Sequence, residues 1–413
     1  MNDLLALDIE KPAAGGRMIA RLDGRVVLVA GAIPGERVRA RVERVAKGVV
    51  YAEVVDVEAA SPDRRAPFVD PLCGGCLFAH IRYGRQLEIK SQVIEDAFAR
   101  IGRAPLVSPV PVAGSPDEGY RMRGRLHLRG GRLGFFREGT HEVCDARATR
   151  QLLPSTCDVL DRVAAGLRSL GASGPAEIEL SENVNASERV LHVDGERIDA
   201  EVLRPLAGFD GISGLLSGSG SIVSGSPFVH DEIDVSGRSV RLRRHIQAFF
   251  QGNRYLLRDL VTRVISHLPQ DGALVDLYAG AGLFAVAAAV ARGGRVTAIE
   301  GDRVGAADLE ANAAACGAAV VARHQSVEEF TARAAAPADA VVVDPPRTGM
   351  SREALAGVLR LRAPRVVYVS CDVATLARDA RRLLDAGYAI GSVEAFDLFP
   401  NTPHVECVVS FSR

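Results

Sequence analysis

The sequence predicts an α/β protein whose C-terminal part is a doubly wound parallel sheet, preceded by a small β-barrel and a β-rich middle region. Three observations carry this. From residue 248 onward, short β-branched runs alternate with amphipathic helical stretches, the pattern of a parallel sheet covered on both faces. Residues 1–62 instead hold closely spaced alternating runs, broken at Gly15-Gly16, Pro34-Gly35 and Lys47-Gly48. That spacing suits a small barrel of the oligonucleotide-binding (OB) type. Between them, 63–240 is rich in β patterns and Gly/Ser loops. The expected domains are therefore 1–62, 63–240 and 241–413.

Composition narrows the class. The chain has 413 residues, enough for two or three domains, and 47% of them are apolar. No long uncharged apolar run suggests a membrane span, and Asp3, Asp8 and Glu10 are wrong for a secretory signal. Seven cysteines without even spacing suggest a reducing cytoplasm and no disulfide frame. Net charge is −1, so no global basic field advertises a polyanionic partner. The positive charge is patchy and almost all arginine, the side chain suited to bidentate phosphate contacts and to stacking on bases.

In the barrel, the expected strands are 25–30, 36–42 and 49–57. Arg17, Arg21, Arg37, Arg39, Arg41, Arg44 and Lys47 are expected to present an RNA-facing side; the alternative is a solvated surface balanced by Glu36, Glu43 and Glu53. Cys73-Gly74-Gly75-Cys76 follows, half of a four-thiolate centre. Cys144 and Cys157 are available as further ligands, yet they complete no closed spacing, and no thioredoxin-like pattern surrounds the pair. A helix is expected over 87–101, with the option of packing on the C-terminal domain. Residues 120–137 carry Arg121, Arg123, Arg125, Arg129, Arg132 and Arg137 without one acid, interleaved with Tyr120, His127, Phe135 and Phe136. Cations mixed with flat rings suit a surface that grips a single strand; the competing reading is an arginine-rich solvated hairpin. Arg238, Arg241, Arg243 and Arg244 close the middle region.

Within the C-terminal series, helices are expected over 253–268, 283–292 and 307–316, and strands over 274–278, 295–300, 340–344 and 366–370. A hairpin-like pair over 390–397 and 405–411 ends it. Gly280 and Gly282 follow the first of these strands and let a ligand approach the backbone. Glu300 ends the next strand, where a carboxylate can accept both hydroxyls of a ribose. NAD and S-adenosylmethionine fit this equally. Asp344-Pro345-Pro346-Arg347 decides for S-adenosylmethionine, because a strand-end acid with a rigid Pro-Pro loop recurs beside the transferred methyl in enzymes using that donor. Cys371 sits on a strand-to-helix turn between 366–370 and a helix over 373–385. Free N–H groups at that helix start are expected to favour its thiolate, making it a candidate nucleophile. The competing fate is that of a small buried hydrophobe.

Six segments together resemble the RNA uracil-C5-methyltransferases: Ala248-Phe249-Phe250-Gln251-Gly252-Asn253, Asp276-Leu277-Tyr278, Asp344 to Gly349, Ser370-Cys371, Thr375 to Asp379, and Phe399 to Glu406. The N-terminal segment with Ala32-Ile33-Pro34-Gly35-Glu36 is similar to the TRAM RNA-binding domain. The resemblance implies a Rossmann-like methyltransferase domain in which Gln251, Tyr278, Glu300 and Asp344 hold S-adenosylmethionine. It also implies that Cys371 is the nucleophile and Glu406 the general base. Many members bind a four-iron cluster, but here two ligand positions are Pro67 and Thr149. A conventional 4Fe-4S cluster is thus not expected, and Cys73 and Cys76 would be a remnant or part of an altered site. The expectation is a cytoplasmic, monomeric enzyme making 5-methyluridine in structured RNA, ribosomal in preference to transfer RNA. A cytosine-C5 RNA methyltransferase and a non-catalytic RNA-binding factor are the alternatives; the first commonly carries a second cysteine in the Pro-Pro loop, absent over 344–350.

Overall fold

The computed structural model describes residues 4–171, 174–317, 319–333 and 337–413. Strands β1 (Leu4–Pro12), β2 (Met18–Leu22), β3 (Arg25–Ala30), β4 (Arg37–Ala46) and β5 (Val49–Ala59) close a barrel in the order β1-β2-β3-β5-β4. Alternation decides what faces inward: in β4, Val38 and Ala40 are buried while Arg37, Arg39 and Arg41 are exposed. The first two strands, needed for closure, lie outside the runs expected from sequence. A register shift between Ile9 and Lys11 interrupts the alternation of β1. Glu36 does not balance surface arginines. It is buried, accepts the Ile33 N–H at 2.8 Å and pairs with Arg64 at 2.5 Å.

Helix α1 (Tyr83–Arg100) joins two cores. Ile89 packs into the barrel core, whereas Ile94, Ala97 and Phe98 pack into a core of the C-terminal domain. Strand β6 (Val112–Ala113) then adds to the edge of the C-terminal sheet.

The middle region contains β7 (Arg123–Arg129), β8 (Arg132–Phe136), β9 (Val143–Asp145), α2 (Pro154–Ser169), β10 (Ala176–Glu182), β11 (Arg189–Gly195), α3 (Ala200–Leu203), β12 (Gly214–Ser217) and β13 (Ile222–Gly225). Its seven strands run β13-β12-β11-β10-β7-β8-β9. Helix α2 covers one face with Val159, Leu160, Val163 and Leu167. Strands β14 (Phe228–Val235) and β15 (Arg238–His245) form a separate hairpin. Val235, Val240 and Leu242 of that hairpin share a core with the C-terminal helices. A boundary at 240 would cut this hairpin, so the break belongs before Phe228. Arg244, fully buried, pairs with Asp231 across the hairpin at 2.7 Å and ties the hairpin to β10 by donating to the Ser181 hydroxyl and the Glu182 carbonyl.

The C-terminal domain comprises α4 (Leu257–Ser266), β16 (Leu274–Leu277), α5 (Leu283–Arg292), β17 (Val296–Glu300), α6 (Arg303–Ala315), β18 (Val320–His324), α7 (Val327–Arg333), β19 (Ala340–Val343), α8 (Arg352–Arg360), β20 (Arg365–Ser370), α9 (Val373–Asp385), β21 (Ala389–Phe396) and β22 (Glu406–Ser412). Sheet order is β18-β17-β16-β19-β20-β22-β21-β6. From β16 the chain winds first toward β18, then returns through β19 to β20, so a switch point lies between β16 and β19. Helix α4 starts later than expected because the Asn253 side chain takes the Tyr255 and Leu256 N–H groups at 2.9 and 3.1 Å. Among the described residues no helix is long and apolar enough to cross a membrane.

Candidate active site

Topology assembles the site at the carboxyl edge of the parallel strands. Asp344 follows β19, Cys371 follows β20, and Glu300 ends β17. Strand β22 runs antiparallel to β20 with Ser370 opposite Cys407, so Glu406 starts its strand where Cys371 leaves the neighbouring one. Gln251 reaches the same edge from the loop after β15, and its amide donates to Asp344 Oδ2 at 3.3 Å. These side chains line one cavity of about 660 Å³, shared with Tyr278, Gly280, Phe249, Arg347 and Phe399.

Glu300 stands at one end of the cavity. Glu300 accepts the Gly280 N–H through Oε2 and the Asp302 N–H through Oε1, both at 2.6 Å. Those bonds aim the carboxylate while leaving each oxygen a further acceptor site. Gly282 is not in the wall. It has φ 91° at the start of α5, and a Cβ there would meet Leu309 at 2.9 Å. Tyr278 adopts φ 62°, a left-handed conformation rare for an aromatic residue, as the chain turns out of β16 into the cavity. Two aromatic walls carried no role in the sequence reading: Phe249, 69% exposed, and Phe399. An exposed Phe249 beside buried Phe250 was the available signal.

Electrostatics correct one expectation. Helix α9 does not lend its first N–H groups to Cys371, because Asp372 caps the helix and accepts the Thr375 N–H at 2.8 Å. Burial and the nearby Glu406 carboxylate push the Cys371 thiol up to about 11, with the Arg347 guanidinium opposing. Burial raises Asp344 to about 7, opposed by the Gln251 amide. Glu406, almost fully buried, is raised well above the usual carboxylate range by burial and then by Asp344. The resting cavity thus holds a thiol and at least one carboxylic acid, an arrangement that a cation would disturb.

Comparison with known proteins agrees with this geometry. Residues 217–413 match the model of the tRNA (uracil-5-)-methyltransferase family, and residues 5–55 match the TRAM domain. The 23S rRNA (uracil(1939)-C(5))-methyltransferase RlmD of Alkalilimnicola ehrlichii is 34% identical over 96% of this chain and 94% of its own. This chain belongs to the RNA uracil-C5-methyltransferase family. The RlmD of Halomonas elongata is 32% identical over 98% of this chain and 88% of its own. In fold, the chain is similar to the Pyrococcus abyssi tRNA (uracil-54, C5)-methyltransferase in complex with S-adenosyl-L-homocysteine. The TM-score is 0.79 at 24% identity, over 98% of this chain and 99% of the other.

A uracil-C5-methyltransferase with a four-iron cluster needs four free ligands, and these residues do not fit one. Cys73 and Cys144 are joined in a disulfide, where the uneven cysteine spacing suggests a reducing cytoplasm and no disulfide frame. Cys76 is a buried thiol, pushed up to about 12 by burial, with its sulfur 4.0 Å from the Thr149 carbonyl oxygen. Cys157, on α2, packs its side chain into the core beneath that helix. Among the described residues no group of three or more His, Cys, Asp and Glu side chains is placed to hold a metal ion.

The basic stretch is corrected too. Arg121 donates to Gln151 Oε1 at 2.6 Å and Arg123 to the Ile246 carbonyl at 3.0 Å, so both are structural ties. Arg125 pairs with Glu177 and Glu179, and Arg137 with Asp70. Tyr120 and Phe135 are buried, while Arg125, Arg129 and Arg132 are exposed on the hairpin that carries a His127–Phe136 stack with centroids 3.6 Å apart. On the barrel, Arg17, Arg21, Arg37 and Arg39 pair with Glu43, Glu10, Glu58 and Asp56, while Arg44 lies over the Tyr51 ring.

Proposed function

We propose that this enzyme methylates C5 of a uridine in 23S ribosomal RNA through a covalent bond between Cys371 and C6. The observation that carries the reading is the β20–β22 register, which puts a thiol and a buried carboxyl side by side in the cavity that also holds Asp344 and Gln251. Glu300, Gly280, Tyr278, Gln251 and Asp344 would hold S-adenosylmethionine, with Gly282 shaping the turn beneath it. Phe249 and Phe399 offer flat walls for a base that has left its stack.

C5 of uracil is too weak a nucleophile to take a methyl unaided. Cys371, as thiolate, adds to C6; the ring electrons move to O4, and C5 becomes electron-rich. Arg347 is the cation that eases loss of the thiol proton. C5 then takes the methyl, and the donor leaves as a neutral thioether. Glu406 accepts the C5 proton, the C5 electrons re-form the double bond, and the Cys371–C6 bond breaks to return the thiolate. Timing follows from charge. A sulfonium bound beside Asp344 would favour the ionised forms of Asp344 and Glu406, and after methyl transfer Glu406 would regain the proton affinity that the base step needs.

Ribosomal RNA is preferred because the relatives named above as RlmD are 34% and 32% identical to this chain, against 24% for the tRNA enzyme that aligns over as much of it. The test is to incubate purified protein with methyl-labelled S-adenosylmethionine and, separately, 23S rRNA and tRNA transcripts, then digest and identify the labelled nucleoside. Labelled 5-methyluridine from rRNA is expected. Label in tRNA alone would reassign the RNA, and labelled 5-methylcytidine would overturn the base.

A further inference from the structure

We propose that Lys90 and Gln86 of α1 are positioning residues for the reacting base, acting through the 397–404 loop that brings Phe399 to the cavity and leads into Glu406. The proposal rests on the reading of this cavity as a uracil-C5 methyl-transfer site. Lys90 is 1% exposed, in the middle of a helix whose buried face also carries Gln86, Ile89, Ser91, Ile94, Ala97 and Phe98, so it is the one buried cation there. Its ammonium donates to Asp397 Oδ1 at 2.5 Å and to the Phe399 carbonyl at 3.2 Å, so both acceptors lie on that loop. A turn of helix earlier, Gln86 is fully buried. Its Nε2 donates to Asn401 Oδ1 at 2.9 Å, and its Oε1 accepts the Asn401 N–H at 2.9 Å. Asn401 is thereby held at φ 62°.

A buried ammonium is a poor way to stabilise a helix, since an apolar residue of similar volume often does as well or better. What it supplies is direction: two acceptors two residues apart are fixed relative to one rigid helix. The loop is also braced from the barrel, where a Cβ on Gly16 would meet Pro403 at 2.9 Å. Ile89, adjacent to Lys90, lies in the barrel core. Helix α1 therefore connects the barrel to the segment that walls the base pocket. Neither Lys90 nor Gln86 lines the cavity, so both act through the loop.

The test compares kcat, KM for RNA, S-adenosylmethionine affinity and melting temperature. Lys90→Met with Asp397→Asn removes both buried charges together. It is expected to melt within a few degrees of wild type and to bind S-adenosylmethionine unchanged, while kcat falls about tenfold or more. Because that pair of changes reaches the core, Asn401→Gly is the second variant. It tolerates φ > 0 yet lacks the side chain whose Oδ1 accepts from Gln86 and Arg65 and whose amide donates to the Asp117 carbonyl, and kcat should fall about threefold or more while the variant stays folded at the assay temperature. Wild-type kcat in either folded variant, or a loss that only tracks unfolding, overturns the positioning role. Wild-type protein that makes no 5-methyluridine overturns the reading of the site instead.

Discussion

Cysteine occurs in two contrasting settings in this molecule. Cys371 stands half-buried on a strand-to-helix turn, in a cavity that also holds the Asp344 and Glu406 carboxyl groups and the Arg347 guanidinium. Cys73, Cys76 and Cys144 are packed together with Ala79, Phe68 and Val69, and two of them are bonded to each other. The pair of glycines in Cys73-Gly74-Gly75-Cys76 looks more reactive on paper than Ser370-Cys371-Asp372. Reactivity, however, depends on what else reaches the sulfur. Burial raises both thiols, but at Cys371 the sheet edge delivers the opposing Arg347 guanidinium and an open volume, whereas Cys76 is enclosed by packing.

The largest effect expected from breaking this contrast is at Cys371. Cys371→Ala should lower turnover by at least about 10⁴-fold and abolish every covalent RNA adduct, while calorimetry shows S-adenosylmethionine binding intact. Turnover above a hundredth of wild type would remove covalent catalysis.

Glu406→Gln comes next. Addition and methylation should proceed, after which the adduct stalls because C5 keeps its proton; turnover falls about 10²- to 10³-fold. Denaturing gels should show a protein–RNA band carrying the methyl label, and it should vanish when Cys371 is also replaced. An unlabelled band would place Glu406 before methyl transfer.

A smaller effect follows from Asp344. Its folded pKa, raised to about 7, lies above its unfolded value, so the empty protein holds a proton there that the unfolded chain has lost. Stability of the empty protein should therefore fall as pH rises from the ordinary carboxylate range to 7. Affinity for S-adenosylmethionine should move the other way, tightening by up to about tenfold from pH 6 to pH 7. Calorimetry with neutral S-adenosylhomocysteine should show a much flatter profile; parallel profiles would exclude a carboxylate–sulfonium origin.

The smallest effect on chemistry should come from the buried cysteines. Cys73→Ser with Cys144→Ser removes a cross-link spanning 71 residues, which should cost about 2–4 kcal/mol of stability by chemical denaturation. Turnover of the folded variant should stay within about threefold of wild type. Anaerobically purified wild type should contain far fewer than four irons per chain. Near-stoichiometric iron and sulfide would mean that the three cysteines rearrange around a cluster.

Much of the catalytic domain was legible because its signals are local. The run 366–370, the helix after it and the Asp344-Pro345-Pro346 turn each declare themselves within a dozen residues. Glu406 was legible only through resemblance, since nothing local distinguishes it from an edge-strand glutamate. Illegible features all depend on partners far along the chain. The arginines of 120–137 resemble an RNA-gripping surface until Gln151, Glu177, Glu179 and Ile246 arrive to occupy them. Lys90 finds Asp397 across a separation of 307 residues, and Cys73 finds Cys144 across 71. The expected thiolate failed for a nearer reason: Asp372, one residue on, takes the N–H that was assigned to the sulfur.

The position of β22 between β20 and β21 bears on how the enzyme is made. A nascent chain emerges from the ribosome with β20, α9 and β21 before β22, so the strand slot that carries Glu406 is filled after its neighbours have been synthesised. Until then Cys371 faces a gap where the neighbouring Glu406 carboxyl belongs, and the β20 edge has an open row of hydrogen-bonding groups. Completion of the candidate site is thus a late event in biosynthesis, and a chain released before residue 406 would lack the carboxyl proposed as its base.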